Sequence, residues 1–331
     1  MADSSNDEKL HRREFLTRCT KAGLAIAATG LVGYQCYDPS GPERWPVSQE
    51  EVFMPDFSIP EMGQRMSIVR GSDRVKTVQV AFRSLGGMEA FVKPGDRVLL
   101  KVNAAFASPP MLSATTHPQL TEEVARLCLS AGAAKVLVTD NPINDPASCF
   151  ALTGTDMAAR SAGARVLLPG DGSFRPMTLP KGKLIKDWPV LYEPLKDVNK
   201  VIGMAPVKDH HRSGASMSLK NGYGLLGGRR NIFHQDIHNI IKELAMMFRP
   251  TLVILDGTVS MMHNGPTGGS LSDLKETHTM IVSTDPVAAD AFGATLLDKT
   301  SDDLPFIAKA EAEGVGTADY RSLNPEMLST G

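Results

Sequence analysis

Residues 97–102 read RVLLKV, a continuous apolar run that is typical of a strand buried on both faces of a parallel sheet. The same rhythm then repeats along the chain. Helical spacing covers residues 119–131, a strand pattern covers residues 135–139, and a second helix–strand pair covers residues 146–162 and 165–168. Because parallel strands need crossover helices, this alternation predicts an α/β fold with a mostly parallel sheet and helices on both faces.

The remainder of the chain extends this pattern with one interruption. A β-rich excursion is predicted near residues 169–197, where prolines and glycines replace helical spacing. Further strands are predicted at residues 65–70, 198–206, 251–256 and 278–283. Further helices are predicted at residues 72–85 (with Ser72 as N-cap), 234–248, 285–297 and 304–313. The glycine-containing residues 257–270 are predicted to form a loop, and the residues after 313 a loose tail.

The first 36 residues have the pattern of an export signal rather than of a folded domain. Arg12-Arg13 precedes Phe15-Leu16 and a weakly apolar run over residues 22–34, which is too short for a comfortable transmembrane helix. A twin-arginine leader predicts export of the folded protein by the Tat translocase to the periplasm. Cleavage stays open, since an uncleaved leader would tether the protein to a membrane. Residues 37–62 are predicted to be a linker or arm, and residues 63–331 a single α/β domain.

The composition is that of an ordinary globular protein. Charged residues make up 22% of the 331 residues, and the formal net charge is −2. This balance argues against a nucleic-acid partner, because no global basic field is present. Two of the four cysteines, Cys19 and Cys36, lie in or beside the leader, and no CxxC motif occurs, so no intrinsic iron–sulfur cluster is expected. Cys128 is expected in the core, with a Cys128–Cys149 disulfide as the alternative.

Polar residues follow several of the predicted strands, and parallel strands bring such residues to one edge of the sheet. The densest group is VKDHHRSGASMSLKNGYGLLGG at residues 207–228, which we expect to form one wall of a site. Asp140, Asp256 and Asp285 follow other strands and are expected at the same edge. The candidate catalytic residues are His210, Lys220 and His117; the candidate substrate-binding residues are Lys101, Asn103, Lys208, Asn221, Gly265 and Gly268; and the candidate metal ligands are Asp256 and His263.

The residue types in this set point to an anionic ligand and to proton transfer. Ammonium groups bind carboxylate or phosphate, and glycines let backbone N–H groups approach an anion. A histidine such as His210 can act as a general base. The alternative is a divalent metal held by Asp and His side chains. The sequence indicates no other cofactor. His234 and His238 have the i, i+4 spacing of a chelating pair, but they lie off the apolar stripe and are interpreted as a solvated face.

Several motifs in this order resemble the domain-of-unknown-function 362 family. They are Lys101-Val102-Asn103, Thr116-His117-Pro118, residues 131–136 leading to Asp140, Lys208 with His210, Ser218-Leu219-Lys220-Asn221 with Gly224, Asp256-Gly257, Gly265-Pro266 with Gly269, and STDPVAAD at residues 283–290. Many members of that family carry a ferredoxin-like iron–sulfur module, and this chain lacks the necessary cysteines. A more distant similarity, in the spacing of His210 and Lys220, is to the catalytic domain of the nickel-pincer lactate racemases. There the resemblance implies a lysine that tethers the cofactor and histidines that act as bases or as a nickel ligand.

These observations favour an exported enzyme that acts on a small anionic substrate through a Lys/His/Asp site at the carboxyl ends of the strands. An isomerase-like, racemase-like or redox-associated reaction would suit such a site. The alternative is a non-catalytic periplasmic protein that binds a metal or cofactor or assists a redox complex.

Overall fold

The computed structural model describes residues 4–35 and 50–331, which belong to two separate compact units. The first unit contains helix α1 (Ser4–Gln35), whose side chains from Arg12 onward are exposed. No helix within these two ranges is long and apolar enough to cross a membrane. Cys36 and residues 37–49 of the expected linker lie outside the described residues.

The second unit alternates strands and helices from Met66 onward. Its strands are β1 (Met66–Arg70), β2 (Arg97–Lys101), β3 (Lys135–Thr139), β4 (Arg165–Val166), β5 (Phe174–Met177), β6 (Trp188–Leu191), β7 (Lys200–Lys208), β8 (Leu252–Met261), β9 (Leu274–Ser283) and β10 (Glu326–Ser329). Its helices are α2 (Arg74–Ser84), α3 (Pro118–Ser130), α4 (Pro146–Leu152), α5 (Thr155–Ser161), α6 (Glu193–Lys196), α7 (Ser218–Asn221), α8 (Ile237–Met247), α9 (Pro286–Leu296) and α10 (Pro305–Ala312), with short 3₁₀ turns between them.

The main sheet has the strand order β10-β1-β9-β8-β7-β2-β3-β4. Strand β9 pairs antiparallel with both of its neighbours, and the other pairs in this sheet are parallel. The prediction of a mostly parallel sheet is therefore confirmed. β5 and β6 form a separate antiparallel pair, which is the β-rich excursion expected near residues 169–197.

Each face of the main sheet packs against its own set of helices. On β2, Leu99 belongs to the core shared with α8 and α9, whereas Val98 and Leu100 belong to the core shared with α2 and α3. Alternate residues of a strand point to opposite faces, so one continuous apolar run supplies both cores. The expected helices on both faces are thus present.

Several local boundaries differ from the sequence-based expectations. The helix predicted over residues 146–162 is two helices, α4 and α5, because Gly154 adopts a left-handed conformation (φ 72°) between them. Asp73 rather than Ser72 caps α2, since its carboxylate accepts the N–H of Lys76. The helix predicted from residue 234 begins at Ile237, after a 3₁₀ segment.

Two longer segments also differ, and the second of them bears on the site. The predicted loose tail contains β10, which pairs parallel with β1. The predicted loop over residues 257–270 is partly strand, because β8 continues to Met261 and turns back as β9. Because β9 is antiparallel to β8, its carboxyl end lies at the end of the sheet opposite to the carboxyl end of β8. Asp285, which follows β9, therefore does not join the other polar strand ends as expected; it caps α9 by accepting the N–H groups of Val287 and Ala288.

Candidate functional site

A pocket of about 240 Å³ lies at the carboxyl ends of β2, β3 and β7. Strands β2 and β7 are neighbours in the sheet. From β2 the chain continues to β3 on one side, and from β7 it continues to β8 on the other side. The pocket thus lies at the topological switch point, where open α/β sheets bind ligands. Its lining comprises Asn103, Ala105, Phe106, Asp140, Asn141, Ile143, Lys208, His210, His211, Ser216, Lys220, Asn221, Tyr223, Gly224, Arg230, His234 and Pro266.

A buried ion pair forms the base of the site. Lys101 Nζ lies 2.7 Å from Asp140 Oδ1, with side-chain exposures of 0% and 2%. The ammonium also donates to the carbonyl of Val102 (2.7 Å) and to Asn221 Oδ1 (3.2 Å). Burial lowers the pKa of Lys101, and the charge of Asp140 partly opposes this effect. Lys101 lies behind the pocket lining, so the structure places it as a support for the site rather than as a surface that meets a ligand.

Two asparagines join this base to the pocket wall. Asn221 Nδ2 donates to the carbonyls of Lys101 (3.2 Å) and Met204 (3.1 Å), which fixes the orientation of its amide. Asn103 Nδ2 donates to Asn221 Oδ1 (3.4 Å), and Asn103 Oδ1 has no hydrogen-bond partner in the described part of the chain. Gly224 lies directly against the ion pair, because a Cβ there would come within 2.0 Å of Asp140 Oδ1.

The pocket wall carries three cationic side chains, Lys208, Lys220 and Arg230, none of which forms an ion pair with a carboxylate within residues 4–35 and 50–331. Lys208 donates to the carbonyl of Ala114, and Arg230 donates to four backbone carbonyls. Lys220 Nζ lies 4.7 Å from the ring centre of Tyr223 and has no hydrogen-bond partner among the described residues. Burial is the main cause that lowers the pKa of Lys208 and of Lys220, each to about 7. A nearby positive charge adds to this effect in both cases.

His210 is a buried imidazole whose tautomer is set by the backbone. Its Nδ1 accepts the N–H groups of Arg212 (3.2 Å) and Ser213 (3.3 Å). Burial, together with the charge of Lys220, lowers its pKa to about 2. A neutral ring whose Nδ1 accepts must carry its proton on Nε2. His210 therefore presents a hydrogen-bond donor, in place of the general base that the sequence suggested.

His211 and His234 stack near His210 with the opposite tautomer. Their ring centroids lie 5.1 Å and 5.8 Å from that of His210. His211 Nδ1 lies 3.3 Å from the carbonyl oxygen of Gly265, and His234 Nδ1 lies 3.2 Å from that of Asn231. Because a carbonyl oxygen can only accept, each Nδ1 donates and each Nε2 keeps its lone pair. These two rings are the imidazoles of the site that can accept a proton.

Tyr223 links the cationic wall to His234. Its hydroxyl donates to the carbonyl of Arg230, which leaves the phenolic oxygen to accept from His234 Nδ1 at 3.0 Å. Burial raises the pKa of Tyr223, so the phenol stays protonated and the contact with His234 is maintained at neutral pH. This pairing, with the 3₁₀ segment before α8, is why His234 lies in the pocket rather than on a solvated face. His238 instead stacks on Phe306 (6.2 Å between centroids).

His117 and Asp256 do not line the pocket. Asp256 Oδ2 pairs with Arg74 Nε at 2.7 Å, and both side chains are largely buried. His117 caps α3 by accepting the N–H of Gln119 (3.3 Å). Burial and the charge of Arg74 lower the pKa of His117 to about 4.

The backbone N–H groups of the two candidate glycines, Gly265 and Gly268, already donate hydrogen bonds within the protein. The N–H of Gly265 donates to Asp209 Oδ2 (3.3 Å), and the N–H of Gly268 donates to the carbonyl of Asn264 (2.9 Å). Neither donor is free to hold an anion in this conformation, and only the neighbouring Pro266 lines the pocket. His263 lines a different hollow, beside Asp209, so it shares no pocket with Asp256.

Two further observations concern metals and thiols. In the described part of the chain, no group of three or more His, Cys, Asp or Glu side chains is arranged to hold a metal ion. A metal at Asp256 and His263 stays a prediction from the sequence, which this geometry does not favour. Cys128 and Cys149 are both buried and both free, so the alternative of a disulfide between them is not realised.

Comparison with protein-family models identifies the family of this chain. The family model described as "Domain of unknown function (DUF362)" matches residues 98–295, which is more than half of the chain. This chain belongs to the DUF362 family. The resemblance stated from the sequence motifs is thereby confirmed. The matched residues run from β2 to α9 and include every residue of the pocket lining.

Individual proteins that resemble this chain have low sequence identity to it. The DUF362 chain is 28% identical over 256 residues to the "Thylakoid-associated protein sll1697" of Synechocystis sp., covering 72% of this chain and 74% of that protein. Among solved structures, the lactate racemase apoprotein of Thermoanaerobacterium thermosaccharolyticum matches with a TM-score of 0.38 and 12% identity, covering 72% of this chain and 60% of that one. A protein of Thermotoga maritima matches with a TM-score of 0.36 and 10% identity, covering 73% of this chain and 59% of that one. The chain thus spans about three fifths of each of these two solved chains.

Several residues of this DUF362 pocket were not identified from the sequence as site residues, among them the polar residues Tyr223, Arg230 and His234. Tyr223 and Arg230 flank the glycine-rich end of the 207–228 stretch, where they resemble ordinary loop residues. The one available signal was that His234 and Arg230 precede the apolar stripe of α8, in a segment too polar to belong to its buried face.

Proposed function

We propose that this DUF362 protein is an enzyme that binds a small organic anion in the pocket and moves a proton to or from it. The observation that carries the proposal is the cationic wall: Lys208 and Lys220 are buried and Arg230 is half-buried, and none of the three has a carboxylate partner in the described chain. Buried charges are normally paired, because an unpaired charge loses its hydration without compensation. A carboxylate or phosphate of the substrate would supply the missing counter-charge.

The amines suit proton transfer as well as binding. With a pKa of about 7, the amine of Lys220 is divided between its neutral and charged forms at neutral pH. General acids and bases work best when their pKa lies near the operating pH. Lys220 also lacks a hydrogen-bond partner among the described residues, so its lone pair is open to the substrate. Lys208, bound to a carbonyl, is assigned instead to anion binding.

The histidines divide the remaining roles by tautomer. His210 donates from Nε2 and would stabilise negative charge that develops on a substrate oxygen, as neutral imidazoles can. His211 and His234 keep an unprotonated Nε2 and would accept a proton. The sheet edge thus combines an anion-binding wall with one fixed donor and several acceptors, which fits an isomerase-like reaction of the kind expected from the sequence.

The proposal includes export. The Arg12-Arg13 leader suits the Tat route, and the name of the Synechocystis relative describes that protein as thylakoid-associated. We therefore assign the protein to the periplasm or to a membrane surface facing it, with α1 as leader or tether. In cell fractionation, replacement of Arg12-Arg13 by Lys-Lys should retain the protein in the cytoplasm, with Arg18→Lys as the control. Equal distribution of the two variants would contradict Tat export.

Ligand binding to the full-length protein tests the central claim. Small mono- and dicarboxylates and inorganic phosphate would be titrated by calorimetry, each carboxylate beside its uncharged amide. We expect binding of anions but not of amides, and a loss of about 10-fold to 100-fold in affinity for Lys208→Met, the value for one charge-assisted hydrogen bond of 1.5–3 kcal/mol. The control is Lys275→Met, on a half-exposed lysine outside the pocket. Equal loss in both variants, or equal binding of acids and amides, would reject the anion site.

Proton transfer is tested separately from binding. A bound acid would be incubated with the protein in D₂O, and the exchange of its carbon-bound hydrogens followed by NMR. Exchange that disappears in Lys220→Met supports the assignment of Lys220 as acid or base. Binding without exchange for every ligand would favour the non-catalytic binding protein instead.

A further inference from the structure

Helix α7 carries Lys220 and Asn221, which line the pocket, and it has little stability of its own. It contains four residues, Ser218–Asn221, and its N-cap residue is Met217, whose side chain makes no capping hydrogen bond. The first N–H groups of a helix need acceptors, and helices of one turn are unstable in isolation. The position of α7 must therefore be set by neighbouring elements.

Asp290 of α9 supplies the missing cap. Its Oδ1 accepts the N–H of Ser218 (2.8 Å) and also the hydroxyl of Ser218, and its Oδ2 accepts the N–H of Leu219 at 3.1 Å. The carboxylate is fully buried and forms no ion pair in the described part of the chain. Three donors directed at one carboxylate make this an N-cap in trans, contributed by a residue far along the sequence.

The close approach of α9 to α7 depends on a second residue of α9. Gly293 lies one turn after Asp290, and a Cβ there would come within 2.6 Å of Met217 Sδ. At its other end, α7 is held by the amide of Asn221, which donates to the carbonyls of Lys101 and Met204. The backbone on both sides of Lys220 is thus fixed, while its amine has no hydrogen-bond partner among the described residues.

We propose that Asp290 is a positioning residue of the pocket: by capping α7 from α9, it fixes where the amine of Lys220 lies. The inference rests on the proposed function, since it gives Lys220 its role, but its test needs no substrate. Asp290 does not line the pocket, so it acts only through α7. Removing the cap would let α7 shift and would bring the Lys220 amine closer to water, which raises the pKa of a buried lysine.

The test measures the pKa of Lys220 in the full-length protein by acetic anhydride labelling across pH 6–10, with quantification by mass spectrometry. Lys208 is the internal comparison, because its pKa is also lowered to about 7, mainly by its own burial on β7 and to a smaller extent by the charge of Lys220. In Asp290→Asn we expect the labelling pKa of Lys220 to rise by about one unit or more, while that of Lys208, which depends mainly on its own burial, changes much less. One unit would cut the neutral fraction of Lys220 at pH 7 about five-fold.

Two outcomes would overturn the proposal. An unchanged Lys220 profile in folded Asp290→Asn would show that the cap does not set the amine, and equal shifts at both lysines would indicate general loosening instead. If Asp290→Asn does not fold, Ser218→Ala removes the hydroxyl that contacts Asp290 and the carbonyl of Pro286 but keeps both backbone donors to Asp290, and it should give a smaller shift at Lys220. Failure to find any ligand for the pocket would leave these readouts intact, so this inference and the proposed function fail separately.

Discussion

Removal of Lys101 from the base of the site should destabilise the protein far more than removal of a surface charge. In Lys101→Met, Asp140 would stay buried at 2% exposure with its 2.7 Å partner gone. Breaking a buried pair in this way costs about 3–5 kcal/mol, because an uncompensated charge remains in a medium of low polarity. Total stabilities of domains are about 5–15 kcal/mol, so the variant should fold with a measurably smaller free energy of unfolding.

The assay is urea unfolding of the four members of a double-mutant cycle: the wild type, Lys101→Met, Asp140→Asn and the double variant. Because the double variant leaves no unpaired charge, we expect it to be more stable than Lys101→Met alone, with a coupling energy of about 2–3 kcal/mol. The matched control is the pair Lys275–Asp298, whose side chains are 50% and 67% exposed. Its coupling should be below about 1 kcal/mol. Equal coupling for the two pairs would refute the reasoning, since burial would then make no difference.

Two further predictions concern the same pocket. Gly224→Ala should lower the free energy of unfolding by about 3 kcal/mol or more, because its Cβ would meet Asp140 Oδ1 at 2.0 Å and separate a buried ion pair. The measurement is urea unfolding, and the control is Gly269→Ala, where an added Cβ would meet no atom within 4 Å. The control should show little change. Since burial lowers the pKa of Lys208 and Lys220 to about 7, the unfolded chain binds more protons than the folded one between pH 7 and about 10.5. The free energy of unfolding should therefore rise with pH in this window, by at most about 1.4 kcal/mol per unit for each lysine, and an unchanged slope in Lys220→Met would contradict the assignment.

The sequence predicts the sheet well because its strands are local signals. The run at residues 97–102 needs only its own apolar residues to indicate a doubly covered strand, and β3 follows from the same rule. The meeting of Asn103, Lys208 and Asn221 in one pocket likewise follows from the rule that parallel strands share a carboxyl edge. The location of a residue that depends on the direction of its strand is predicted less accurately. Asp285 was misplaced because the segment between β8 and β9 was interpreted as a plain loop, although its Asn264-Gly265 is a dipeptide typical of turns that reverse the chain.

The chemical state of the pocket side chains could not be obtained from the sequence. His210 is a donor only because the backbone N–H groups of Arg212 and Ser213 occupy its Nδ1, which is a property of three-dimensional loop geometry. Likewise, a sequence shows Lys101 and Lys220 as two equivalent lysines. The structure separates them, since one is neutralised by Asp140 and the other faces the pocket without a counter-charge.

The pairing of β1 with β10 also bears on how the protein is made. Strand β1 lies between β9 and β10, and its register with β10 pairs Ser67 with Glu326. During synthesis, β1 leaves the ribosome early and must wait for almost the whole remaining chain before either neighbouring strand exists. Such non-local pairings form slowly and leave strand edges open meanwhile. Nascent chains that end before residue 326 would expose the edge of β1, so chaperones that cover strand edges should matter most late in translation.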